Sequence, residues 1–203
     1  MSNPDINRVL EFWFADAEQD SLRVDSRMDR WFGNNAEFDE QILNEFGALT
    51  EQASAGQLDE WAKTPEGRLA LIIMLDQFRR NIYRNSAEAF SHDKQALQLA
   101  IEGTMSGDHK HLSPLQRLFF FMPLQHAESL KIQEKSVGIF NALAKVVPDT
   151  LTETFMTSAQ FAELHRDIVA EFGRFPHRNA VLGRENTDEE NDYLSADNPS
   201  FGQ

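Results

Sequence analysis

The stretch TPEGRLALIIMLD, Thr64 to Asp76, decides how this chain is read. Within it, LALIIML from Leu69 to Leu75 is apolar at every position, so it shows neither the two-residue period of a half-buried strand nor the stripe of a surface helix. A run of this length suits a buried strand as well as a buried helix. What precedes it favours the helix. Thr64 offers a hydroxyl to a free N–H of a first turn, and Pro65 has the fixed φ suited to the first helical position. The expectation is a helix surrounded by neighbours, at the centre of the domain. Arg68 and Asp76 bracket the run. Arg80 follows Asp76 by one turn, a spacing that allows an ion pair on one face.

Outward from this centre the stripe of a one-sided helix returns. Ile6, Val9, Leu10, Trp13 and Phe14 recur at helical spacing, with Asn3 as N-cap and Pro4 at the first helical position. Phe38, Ile42, Phe46 and Leu49 repeat the pattern in a helix that starts after Gly33. On the far side, Ser91 reads as the cap of a helix ending near Gly103, and Ser113 with Pro114 opens a helix carrying FFFM. Met122 precedes Pro123, which predicts a break or kink there. From Pro123 to Val147 the apolar residues fall on two lines, Leu130, Val137, Phe140 and Ala144, then Ile132, Ile139, Leu143 and Val146, which predicts a second deep helix. Phe161, Leu164, Ile168 and Phe172 mark a last long helix that Gly173 terminates. Thr187 and Glu190 form a capping box for a short final one. The expected fold class is all-α: an array of antiparallel helices forming a single domain over residues 1–194, followed by a flexible tail, 195–203.

Sixteen Phe and a hydrophobic content of 41% supply one sizeable core in a chain of 203 residues. The absence of cysteine excludes disulfides, zinc–thiolate sites and thiol nucleophiles. Pro4 and Asp5 stand where a signal peptide is basic, and no run approaches the ~20 apolar residues of a membrane span, so a cytoplasmic protein with no membrane partner is expected. The formal net charge is -14, and residues 1–60 hold fourteen Asp and Glu against four Arg and no Lys. Polyanions repel one another, so no nucleic-acid partner is expected. Such a surplus reads as a solvated surface.

Set in that acidic chain, RFPHRNAVLGR gathers Arg174, His177, Arg178 and Arg184 with no acid among them. One reading is structural: Arg174 follows a helix C-terminus, and Arg184 precedes a helix rich in Asp188, Glu189 and Glu190. The other is functional: Arg174, His177 and Arg178 converge with Arg80 on a carboxylate or phosphate. Further polar residues fall on apolar lines, His165 with Phe161, Leu164 and Ile168, and His126 with Gln133 beside Leu130. His126 and Glu128 are two residues apart, which on a helix sets them on nearly opposite sides. No metal-ligand spacing, nucleophile elbow, P-loop or dinucleotide fingerprint is present, and His109–His111 offers at most a loose metal contact, so neither metal nor cofactor is expected.

The blocks LDQFRRNIYR, FFFMPLQHAE and EFGRFPHRNAVLGRENTDEE resemble the signature blocks of a bacterial family known as domain of unknown function nine hundred and twenty-four. The resemblance runs from EFWF to Leu194, and the RFPHRN block is highly specific. It departs at Arg79, where the family usually has proline. The resemblance implies an all-helical array similar to tetratricopeptide-repeat proteins, a right-handed superhelix of antiparallel pairs, and implies no established activity. Its blocks collect Asp76, Arg80, Asn81, His126, Glu128, Arg174, His177, Arg178, Asn179 and Arg184, which with His165 make the candidate binding set. The function expected first is binding of an anionic small molecule or an acidic peptide end. The alternatives are a hydrolase using His126 or His177 with Glu128, and a scaffold that contacts protein partners. Oligomeric state is left open.

Overall fold

The computed structural model describes residues 3–18 and 24–196, and among these there are nine helices and no strand. They are α1 Pro4–Phe14, α2 Val24–Phe32 and α3 Ala36–Ser54. The central helix α4 is continuous through three stretches, α-helical Pro65–Ile72, a wider π segment Ile73–Phe78, and α-helical Arg79–Ile82. Then come α5 Asp93–Ser106, α6 Pro114–Gln125, α7 Leu130–Ala144, α8 Thr152–Phe172 and α9 Asp188–Ser195. The tail from residue 197 lies outside the described residues.

Local chemistry starts the helices where expected. The side chains of Asn3, Thr64, Ser113 and Thr187 accept from Asp5, Gly67, Gln116 and Glu190 N–H respectively, and Pro4, Pro65 and Pro114 occupy first positions. Leu69 to Leu75 is 0–1% exposed, because α4 is packed on by α1, α3, α5 and α6. One hydrophobic core runs from α1 to α8, with Trp13, Phe14, Phe78 and Phe119 at its centre. Ile168, Val169 and Phe175 make a small second cluster under the basic segment.

The π segment was not legible. Arg79 N–H donates to Met74 O, five residues back, and Asp76 and Gln77 both end up inside the protein. Arg79 itself is buried. It pairs with Glu51 at 3.0 Å and Glu88 at 2.8 Å, with its guanidinium over the Tyr83 ring.

Three expectations are corrected. Helix α6 does not break at Pro123 but continues to Gln125, because every residue from Leu118 to Gln125 is buried and this packing outweighs the bond that proline removes. The segment after it is not one deep helix. Residues 126–129 form a turn, so helical phase does not carry across, and Leu130 and Val146 are exposed while Gln133, Ser136, Phe140 and Leu143 face inward. Ser91 does not cap α5. Its hydroxyl donates to Glu88 O, α5 starts at Asp93, and it passes Gly103 to end at Gly107, whose φ of 84° is left-handed.

Candidate functional site

Helices α2, α4, α6 and α8 enclose a cavity of about 240 Å³ with the turns that carry Phe90 and Pro176–Arg178. Met28, Trp31, Phe32, Met122 and Phe161 give it an apolar lining, and Gln77, Arg80, His126, His165, His177 and Arg178 a polar one. Phe32 and Phe161, 45% and 44% exposed, owe that exposure in part to this space.

The polar part is built on Asp76, which the π segment buries completely. Its carboxylate accepts from Gln77, from Arg80 at 3.2 Å and from His126 Nδ1 at 2.7 Å. Burial alone would raise its pKa, but Arg80, and then His126, hold it well below the usual carboxylate range. An ionised Asp76 can only accept, so the proton of His126 sits on Nδ1 and the lone pair on Nε2. Burial, reinforced by Arg80, lowers the His126 pKa against the pull of Asp76, so the ring is neutral at pH 7. Among the described residues Nε2 has no hydrogen-bond partner.

Arg178 is presented by the 3₁₀ turn Pro176–Arg178, its guanidinium held between the rings of Phe90 and Phe175 at 4.6 and 4.5 Å. Nη1 donates to Asp93 at 3.2 Å and to the His126 carbonyl at 3.1 Å. Nε is buried without a partner, and Nη2 has no acceptor among the described residues. Burial pushes its pKa down to about 10, Arg80 adding to the shift and Asp93 opposing it. Asp93 bridges Arg178 to Arg80, which it meets at 2.9 Å. Two cations, Arg80 and Arg178, thus face two carboxylates, Asp76 and Asp93.

His165 donates Nδ1–H to Phe161 O at 2.6 Å, and burial, then the neighbouring His126, bring its pKa to about 3. His177 falls to about 3 through burial and Arg178. Asn81 reaches the cavity rim while bonding Asp39 at 2.7 Å, and Arg84 pairs with the same Asp39.

The other candidates are elsewhere. Arg174 grips Glu190 through two bonds, 2.6 and 2.7 Å, and Arg184 grips Glu128 through two, 2.7 and 2.9 Å. Asn179 joins them by donating to Glu190 and accepting from Arg184 Nε. Glu128 also accepts the Phe175 N–H at 2.8 Å, and its pKa is lowered, burial opposing and the Arg184 bond leading. The basic segment is therefore divided. Arg174 and Arg184 clamp its ends, and His177 and Arg178 face the cavity. His126 and Glu128 do part company as expected, but from a turn and not from a helix. Asp93, Gln77 and the aromatic lining went unread in the sequence, Phe161 because its place on an apolar line looked like core. Among the described residues no group of three or more His, Asp or Glu is placed to hold a metal, and no helix is long and apolar enough to cross a membrane.

These features define an all-helical protein with a half-apolar cavity closed by a buried Asp–His pair and two arginines. The chain belongs to the bacterial family of proteins of unknown function DUF924, whose model matches residues 9–198. A solved structure, the protein of unknown function ATU0120 from Agrobacterium tumefaciens, is similar to it at 33% identity and a TM-score of 0.78, covering 94% of this chain and 96% of that one. No curated protein matches it.

Proposed function

We propose that the protein binds a small monocarboxylate with an apolar body, the head at Arg178 and the body against Trp31, Phe32 and Phe161. The observation that carries this reading is a donor left over: Arg178 Nη2 has no protein partner among the described residues, and Arg178 lines the cavity. Polar groups inside a protein ordinarily find partners, so this donor marks where a guest's acceptor belongs. The cavity's 240 Å³ lies just under the roughly 300–1,000 Å³ of drug-sized sites, which sets the guest as small.

Charge narrows the head group. Arg80 and Arg178 are matched by Asp76 and Asp93, so every negative charge that a guest brings is in excess, and a singly charged head costs less there than a multiply charged phosphate. A single carboxylate can accept from Arg178 Nη2, the donor that the contacts with Asp93 and the His126 carbonyl leave unused. A peptide C-terminus shares that chemistry but brings a chain the cavity must also admit.

Trp31 lines the cavity, so its fluorescence reports occupancy. Titration with hexanoate and phenylacetate should change it saturably, while inorganic phosphate and hexanamide do so at least about tenfold more weakly. Arg178→Gln should lose the preference, and Arg174→Gln, in the clamp, should keep it. Equal response to hexanoate and hexanamide, or none to any probe, overturns the reading.

A further inference from the structure

We infer that the Asp76–His126 pair makes this cavity a hydrolytic site for small esters of apolar monocarboxylic acids, with His126 as general base. The inference rests on the proposed carboxylate site, since the product acid is the ligand assigned there. It adds that the site makes its ligand.

The geometry that supports it is the contrast with the rest of the fold. Where this protein uses charged side chains as scaffolding, both ends are capped: Arg174 by Glu190 and a carbonyl, Arg184 by Glu128, Asn179 and a carbonyl. His126 is capped at one end, by a carboxylate with no exposed surface, and its other nitrogen has no partner among the described residues. A buried carboxylate fixes the tautomer that leaves Nε2 basic, and steadies the imidazolium once it forms. Beside it stands a donor for developing negative charge. Arg178 holds the His126 carbonyl through Nη1 and keeps Nη2 unused, on a guanidinium pinned between two rings.

The step balances with water as the nucleophile. A water hydrogen-bonded to Nε2 gives its proton to that nitrogen as its oxygen forms a bond to the ester carbonyl carbon. The carbonyl π pair moves to oxygen beside Arg178 Nη2. The tetrahedral adduct then collapses, the C–O bond to the alcohol breaks, and the leaving alkoxide takes the proton from Nε2. The carboxylic acid gives its proton to Nε2, which passes it to solvent water, and the acid remains as the carboxylate at Arg178. Asp76 takes no proton in this sequence and is a positioning residue.

The groups facing His126 are Asp76 and Arg80 from α4, Asp93 from α5, His165 from α8, and His177 and Arg178 from the turn after α8. With the imidazole pKa lowered by burial and Arg80, turnover should rise with pH through a value below 6.5 and then level off. Asp76→Asn should move that limb to lower pH, because the imidazolium loses its partner, whereas a purely structural role would leave the limb in place.

The test uses methyl phenylacetate and methyl hexanoate, unactivated esters that a surface imidazole does not cleave at a useful rate. Wild-type protein is expected to release the acid, and His126→Gln to lower kcat about a hundredfold or more while binding phenylacetate within about threefold. His111→Gln, on an exposed turn, should match wild type. Phenylacetate binding without turnover of either ester overturns the catalytic inference and leaves the binding site standing. Absence of both overturns both. If His126→Gln does not fold, Asp76→Asn decides: a limb moved to lower pH supports the inference, and an unmoved limb overturns it.

Discussion

Arg184 meets Glu128 in two parallel hydrogen bonds across 56 residues of chain, and the same carboxylate accepts the Phe175 N–H. This ties the turn after α6, where His126 sits, to the segment that presents Arg178. Two charge-assisted bonds, each contributing about 1.5–3 kcal/mol in such partly sheltered settings, also hold Phe175 in its cluster. Glutamine can keep one of these bonds, so Arg184→Gln should lower stability by about 1.5–3 kcal/mol, or about 3–12 °C in Tm for a domain of this size. Thermal melts with and without phenylacetate check it. Below the melt, phenylacetate binding should persist, since Arg184 does not line the cavity.

Acid should unfold the protein early, and through histidine. His165 and His177 have folded pKa values of about 3, against 6.5 in the open chain. Above pH 6.5 both states hold these rings neutral and pH has no effect through them. As pH falls below 6.5 the unfolded chain binds the protons first, so stability drops by about 1.4 kcal/mol per pH unit for each ring, until about pH 3. Urea melts at pH 7.5 and 5.0 measure the loss, and His177→Gln should show a smaller one.

Much of the helical order was readable because its signals act within one turn. Thr64, Ser113 and Thr187 each cap a residue three positions on, and Gly173 ends α8 at a φ of 71°. The cavity was readable only in part, because its logic is long-range. Asp93 meets Arg178 across 85 residues and Arg84 meets Asp39 across 45, pairings that no spacing rule contains. Four adjacent cations looked like one patch. Which of them is capped depends on Glu190 and Glu128 arriving from other elements. The π segment that buries Asp76, where Arg79 N–H donates to Met74 O, has no side-chain signature. Phe161 misled for a related reason. An apolar stripe marks a face turned from water, and the lining of a cavity is such a face.

Two glycines in helices should answer alanine in opposite ways. Gly138 lies inside α7 with nothing within 4 Å of an added methyl, so Gly138→Ala should gain about 0.5–1 kcal/mol from helix propensity. Gly67 sits in the first turn of α4, where a Cβ would collide with the carbonyl oxygen of Trp61, a backbone atom that cannot swing away. Gly67→Ala should cost about 1–3 kcal/mol despite the same intrinsic gain. Denaturant titration of the two variants separates packing from propensity at the start of the central helix.

Arg178→Lys is the sharpest probe of how the cavity is held, because it keeps the charge and removes the shape. The guanidinium is flat, and here it lies between Phe90 and Phe175 while one edge meets Asp93 and the His126 carbonyl. An ammonium is a strongly hydrated point charge that cannot stack between two rings or donate from both edges at once. Lysine in this position would satisfy Asp93 first, since that pair is buried, and leave no donor for a guest. Net charge is unchanged, so a loss of phenylacetate affinity of about tenfold or more would report geometry and not long-range attraction. Salt dependence makes the distinction measurable. If binding in Arg178→Lys matches wild type at both low and high salt, the cavity needs only a positive charge, and the planar fork of Arg178 has no part in recognition.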